Sequence, residues 1–219
     1  MLALLKQVSP ETLQTVFAAL NVRQIKRRAT LLLSEDLSGQ VAFVWSGRYR
    51  VTAVSPKGSG ITLYAAIAGD VIGLPPALAG TETSDIVRLV CDRAGSLLFL
   101  DVGVLRQAAR SDMALCEALI GGLAGLTVEY AARVYELAAL DAKSRLRAEL
   151  LRLARTAEHV DGRLVLKDAP TQAMLGAQIG AAREAITRHV RELTDAGLLV
   201  FGRGVIEFPD IEALRAKED

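Results

Sequence analysis

The chain is poor in the residues that hold metals and prosthetic groups: its 219 residues include two cysteines and two histidines. Cys91 and Cys116 stand too far apart to supply the ligand set of a zinc or iron–sulfur site, and they read as small buried apolar residues. An excess of either charge is missing too. Lys and Arg number 26 against 25 Asp and Glu, with 13 of each from Asp141 onward, so neither half is basic. A polyanion would have to be met by a local patch. No uncharged apolar run is long. Residues 118–128 would span about 16 Å as a helix, roughly half a bilayer core, so no membrane span is expected. The apolar start is broken by Lys6 and lacks a basic lead and a small-residue cleavage pattern, which points to the cytoplasm rather than export. A Ser/His/Asp order, a supported carboxylate pair and a phosphate-cradling loop are likewise absent, since Gly121-Gly122 has no adjacent Lys; no enzyme is expected.

What the chain does have is apolar material, 51% of its residues, enough for one or two buried cores. Residues 41–45, 48–54, 61–67, 71–74, 85–91 and 96–100 read as short strands. They are punctuated by turn residues at Ser46-Gly47, Ser55 to Gly60, Ala68-Gly69-Asp70 and Arg93-Ala94-Gly95, a spacing that favours a small antiparallel barrel or roll. Ahead of them Ser9 suits a helix N-cap with Pro10 in the first turn, before an apolar face of Leu13, Val16, Phe17 and Leu20. From 114 to 140 the period changes to helical. Cys116, Leu119, Leu123, Leu126, Tyr130, Arg133 and Leu137 fall on one narrow seam, which reads as the axis of a two-helix dimer; the plainer alternative is packing against its own roll. Arg133 alone breaks that seam. Gly121, Gly122 and Gly125 each weaken a helix interior by about 1 kcal/mol, which implies either a close helix approach or a deliberately soft helix.

After Asp141 an amphipathic helix over 142–157 and a strand at 162–166 lead into two helices around Gly180, with Leu175, Ile179, Ile186, Val190 and Leu193 at helical spacing. This is a helix-turn-helix, and residues 198–208 make a following hairpin, or wing. Arg183, Arg188, Arg191 and His189 stand against a single Glu184, supplying the local basic stripe that the composition as a whole withholds. Arg183, Glu184, Thr187 and Arg188 share the exposed N-terminal face of the second helix. An Arg fork there can donate to guanine O6 and N7, and a Glu can accept from cytosine N4. Thr171 and the hairpin-tip Arg203 are candidates for phosphate contact. The predicted architecture is α+β: a jelly-roll-like β-roll (double-stranded β-helix) over 1–110, a long dimerisation helix over 111–140 and a winged helix-turn-helix over 141–219.

That order, and several motifs within it, resemble the bacterial CRP/FNR transcription factors over essentially the whole chain. Gly176 through Arg188 follows the family's recognition pattern, Gly and then Gly-x-[ST]-Arg-Glu-[TS]-[VI]-x-Arg. Leu140-Asp141 with Arg145-Leu146 resembles its hinge, and Trp45 to Val51 and Ala68 to Gly73 resemble its roll elements. The resemblance implies a homodimer on a two-fold symmetric operator, contacting RNA polymerase. Two departures weaken the reader: Ala182 stands where Ser or Thr usually caps the helix, at a cost of about 1 kcal/mol, and Ala185 where Thr or Ser follows the Glu. The sensor half departs further. Cyclic-nucleotide-binding members carry Gly-Glu-Leu and a later Arg-Ser; here Gly73 is followed by Leu74, Ser84 stands at the Arg position, and Asp85 would repel a phosphate. Tyr130 and Ala131 lie where ligand-contacting hydroxyls would be. Cyclic AMP is not expected. Nor is an iron–sulfur cluster, the Cys cluster being absent, or haem, since His159 and His189 both lie in the C-terminal part. A different effector or none remains, with Pro75-Pro76 and Leu78 as the expected plug of an empty pocket. The alternative reading is a dimeric sensor whose DNA reader has decayed.

Overall fold

A computed structural model describes residues 7–54 and 60–216. Helix α1 (Pro10–Ala18) starts as its sequence predicts, with the Ser9 hydroxyl accepting the Thr12 N–H at 3.3 Å and Pro10 in the first turn. It buries Val16 and Thr12; Phe17, expected on its apolar face, stays 43% exposed. The roll follows as β1 (Asn21–Ile25), β2 (Thr30–Leu32), the short α2 (Leu33–Asp36), β3 (Gln40–Val44), β4 (Arg48–Val54), β5 (Gly60–Ile67), β6 (Val71–Ile72), α3 (Leu74–Ala79), β7 (Val87–Arg93) and β8 (Gly95–Asp101). The strands form two antiparallel sheets, ordered β1-β8-β3-β6 and β2-β7-β4-β5.

Alternation along the strands makes two cores. Ala42, Val44, Leu97 and Phe99 join Tyr49, Val51, Tyr64, Leu89 and Cys91 of the second sheet in the interior of the roll. Val41, Phe43, Leu98 and Leu100 pack instead with α1, α4 (Val102–Ser111) and the start of α5 (Met113–Ala139). β1 and β2 were not expected. The strand predicted at 71–74 ends at Ile72, because Gly73 takes a φ of +81° and Leu74 opens α3 with prolines in the first turn. The turn predicted from Ser55 to Gly60 lies, apart from Gly60, outside the described residues. Trp45, at the turn after β3, is 58% exposed.

Asp112 joins the starts of two helices. Its carboxylate accepts the Ser9 N–H at 2.9 Å and the Ala114 and Leu115 N–H groups at 3.0 and 3.2 Å. The bonds from Ser9, first of all, lower its pKa to about 2.

α5 has the length predicted, and its expected seam packs largely on the roll, the plainer of the two readings. Leu119 is buried in the roll's outer core, which Leu123 also packs against, and Leu126 and Tyr130 pack on the inner core. Leu137 is half-buried. These residues, expected to meet a second copy, are largely spent within the chain, because the larger apolar side chains of a helix that is apolar on two faces go to the deeper core. By length and composition, though, α5 is apolar enough to cross a membrane, more so than residues 118–128 suggested.

The chain divides into two compact units, Met1–Ala131 and Ala132–Asp219, so the boundary falls inside α5 rather than at either end of the helix set apart in the sequence. In the second unit the end of α5 is followed by α6 (Ala142–Ala154), β9 (Glu158–Val160), β10 (Arg163–Lys167), α7 (Gln172–Ile179), α8 (Arg183–Asp195), β11 (Val200–Gly202), β12 (Val205–Phe208) and α9 (Ile211–Ala216). The strands pair in the order β11-β12-β10-β9, and β9 and α9 were not anticipated. One core gathers Leu146, Leu150, Leu175, Ile179, Ile186, Val190, Leu193, Ile206, Phe208 and Leu214.

Candidate nucleic-acid interface

The presentation of α8 follows from local chemistry. Thr171 caps α7, its hydroxyl accepting the Met174 N–H at 3.2 Å. α7 ends where Gly180 adopts φ +64°, a conformation that L side chains rarely take. Gly176 is needed for another reason: a Cβ there would lie 2.8 Å from the Ala181 carbonyl oxygen, so the turn passes too close to α7 for any side chain. Ile186, Val190 and Leu193 then bury one face of α8, at 0, 4 and 7% exposure, leaving Arg183, Glu184, Thr187 and Arg188 exposed on the other.

These four differ in what they already hold. Among the described residues, the side chains of Arg183, Glu184 and Arg188 make no hydrogen bond or ion pair, so the Arg–Glu pairing that would make this a merely solvated face is absent. The Thr187 hydroxyl lies 2.8 Å from Gln172 Oε1 and 3.0 Å from the Arg183 carbonyl, which ties it to α7. His189 does not join the basic stripe; its side chain is 12% exposed and its Nδ1 lies 3.2 Å from Glu192 Oε2. α8 starts at Ala182 without a side-chain cap, so its first amides keep their hydrogen-bonding capacity. Arg203 stands exposed at the tip between β11 and β12.

Residues 144–217 match the Crp-like helix-turn-helix domain. Over 174 residues the chain is 30% identical to the transcriptional regulator SdrP of Thermus thermophilus, covering 78% of this chain and 80% of that protein. The chain belongs to the CRP/FNR family. Among solved structures, a CRP/FNR-family transcriptional regulator of Thermus thermophilus superposes with a TM-score of 0.71 at 27% identity, covering 89% of this chain and 96% of that one. FixK2 from Bradyrhizobium japonicum gives 0.74 at 19% identity, with 90 and 96% covered, a likeness of fold.

In this CRP/FNR regulator two of the residues expected at an effector site come together, the Gly73 main chain and Tyr130 both meeting Tyr64, and the others lie apart from them. Leu74 is buried in the outer core, away from the interior of the roll, while Ser84 and Asp85 are exposed. Pro75 and Pro76 lie in α3, and Leu78 packs on the outer core. The interior is filled around Tyr64, which sequence reasoning passed over. Tyr64, 5% exposed, meets the ring of Tyr130 edge-on at 5.9 Å between centroids, in one core with Tyr49, Phe99 and Leu89. Burial, then Tyr130, push the Tyr64 hydroxyl above its ordinary pKa against a hydrogen bond with the Gly73 main chain. Tyr64 thus spans from the Gly that opens α3 to the long helix. A strand Tyr among apolar neighbours carries no signal beyond core, which is why the sequence did not single it out. Among the described residues no group of three or more His, Cys, Asp and Glu could hold a metal ion.

Proposed function

We propose that this regulator is a cytoplasmic homodimer that reads a two-fold symmetric operator with α8, its three functional parts being the roll at 1–110, the dimerisation helix at 111–140 and the reader at 141–219. The observation that carries the reading is the unpartnered trio Arg183, Glu184 and Arg188 on a helix whose opposite face is anchored in a core. The two Arg forks donate to guanines and Glu184 accepts from a cytosine, with the exposed Thr187 on the same face. Thr171, Arg203 and the uncapped amides at the start of α8 supply phosphate contacts that position the protein without reading sequence.

The dimer forms on a different stripe of α5 from the one its largest apolar residues suggest. Met113, Ile120, Ala124, Thr127, Ala131, Val134 and Ala138 are all exposed and recur in alternating steps of three and four once Glu117 is included, the pattern of a coiled-coil seam. Small residues let the axes approach closely, and beside them a Cβ at Gly121 or Gly125 would meet open space. A second copy of α5, rather than a membrane, covers this stripe. Two readers related by such an axis place their α8 helices in major grooves about 34 Å apart. The effector site is altered or lost, with Tyr64 and Tyr130 where a ligand would sit, so cyclic AMP, haem and iron–sulfur clusters have no role. Output comes from touching or blocking RNA polymerase, without catalysis. Selection from random duplexes tests the reading: enrichment of a palindrome with half-sites one turn apart, by a protein that sediments as a dimer, is expected. A monomer, or a pool that stays random at low salt, would overturn it.

A further inference from the structure

Arg133, the one residue out of place in the apolar pattern of the long helix, is half of a closed charge ring. On the last turns of α5 stand Arg133 and Glu136, and on α6 stand Glu149 and Arg152, each pair three residues apart. Arg133 Nη1 lies 3.2 Å from both Glu136 Oε2 and Glu149 Oε2. Arg152 reaches Glu149 through Nε at 3.1 Å and Nη2 at 2.8 Å, and holds Glu136 with both terminal nitrogens, Nη2 at 2.9 Å. Every carboxylate is thus held by both guanidiniums. The side chains are 11, 9, 7 and 30% exposed for Arg133, Glu136, Glu149 and Arg152, so parting the helices would strand charge in poorly solvated surroundings.

The segment between the two helices is pinned as well. Asp141 caps α6 by accepting the Ser144 N–H at 2.8 Å, Arg145 Nη1 donates to the Leu140 carbonyl at 2.9 Å, and Arg145 Nη2 reaches the Gly180 carbonyl at 3.4 Å, in the turn ahead of α8. Leu140-Asp141, which the family resemblance marks as a hinge, is here braced on both sides. The compact-unit boundary agrees, since the last residues of α5 fall with the reader.

We infer that Arg133, Glu136, Glu149 and Arg152 are positioning residues that make the end of α5 and the reader one rigid body, and thereby set the half-site spacing the dimer accepts. The inference rests on the dimeric, palindrome-reading function proposed above. None of the four needs to touch DNA: the ring fixes α6 on α5, α6 packs with α7 and α8 in one core, and the pairing of two α5 helices fixes the separation of the readers.

The test compares the full-length protein with an Arg133→Gln/Glu149→Gln variant on a single half-site, on the selected palindrome, and on palindromes lengthened or shortened by one and two base pairs. The variant is expected to keep its half-site affinity within about twofold, to lose about tenfold or more on the native palindrome as the second half-site stops adding to the first, and to lose its preference for the native spacing. Should that variant not fold, a ring of apolar residues of similar volume (Arg133→Met, Glu136→Leu, Glu149→Leu, Arg152→Met) keeps the packing while removing the directional bonds, and is read on the same duplexes. A folded variant with unchanged palindrome affinity and spacing profile overturns the inference and leaves the proposed function standing. A wild-type protein without a preferred spacing takes both down.

Discussion

The roll and the reader use their side chains in opposite ways. The roll turns its most chemically capable residues inward: Tyr49, Tyr64 and Tyr130 fill the interior, while of the other residues expected to meet a ligand Leu74 is buried in the outer core and Ser84 and Asp85 face solvent. The reader keeps its interior aliphatic apart from Phe208 and a partly buried Phe201, and leaves Arg183, Glu184 and Arg188 outward without partners. One chain can therefore keep a surface for reading while the chamber of its other half is packed shut, because the two are built from separate cores and selection on one need not disturb the other.

The largest effect that would break this contrast is expected from Tyr64→Ala. Removing a ring from a filled interior should destabilise the roll by about 3–5 kcal/mol, measured by denaturant unfolding, while half-site affinity stays at the wild-type level; a small loss would mean that the chamber was never tightly filled. On the reader, Arg188→Ala should cost about 1–3 kcal/mol on the selected operator and flatten preference at one guanine. Equal losses on operator and random duplex at matched salt would reduce Arg188 to a phosphate contact. Smaller again, Ala182→Ser should restore the missing cap and raise the reader's stability by about 1 kcal/mol, read as an upward shift of its unfolding midpoint. The finest comparison is by acid. Asp112 in the roll has its pKa lowered to about 2 by the bonds from Ser9, and in the reader burial pushes Glu136 up but Arg152 and Arg133 outweigh it and hold it below its ordinary value. A depressed folded-state pKa gives stabilisation that is complete above the unfolded value of about 4 and lost as pH falls through the folded one. Circular dichroism should show the roll weakening as pH approaches 2, and Asp112→Asn should remove that part of the roll's acid dependence and leave the reader's unchanged.

Much of the reader was legible because its signals are local. Gly180 needs a positive φ, Thr171 caps the helix that follows it, and the Ile186, Val190, Leu193 spacing dictates which side of α8 is left for Arg183 and Arg188. β4 and the long helix were likewise legible, to within a residue at each end. β1 escaped because Asn21, Val22, Arg23 and Gln24 are all exposed, so an edge strand showed no alternation to detect. That the roll takes up the apolar seam of α5 was not legible, because two faces of the helix are apolar and only packing decides which one the roll takes. Beyond Glu136 on its own helix, Arg133 finds its second partner, Glu149, 16 residues away on another helix, and the role of Tyr64 depends on a ring from α5, so neither is written in any local pattern.

The chain's single tryptophan, Trp45, sits in the roll with 58% of its surface in water, and the second unit has none. Indole emission is therefore a private channel for one half of the molecule. Its colour and its access to a soluble quencher report what happens at the end of β3, with no contribution from the half that meets DNA, so the two halves can be followed separately without attaching a label.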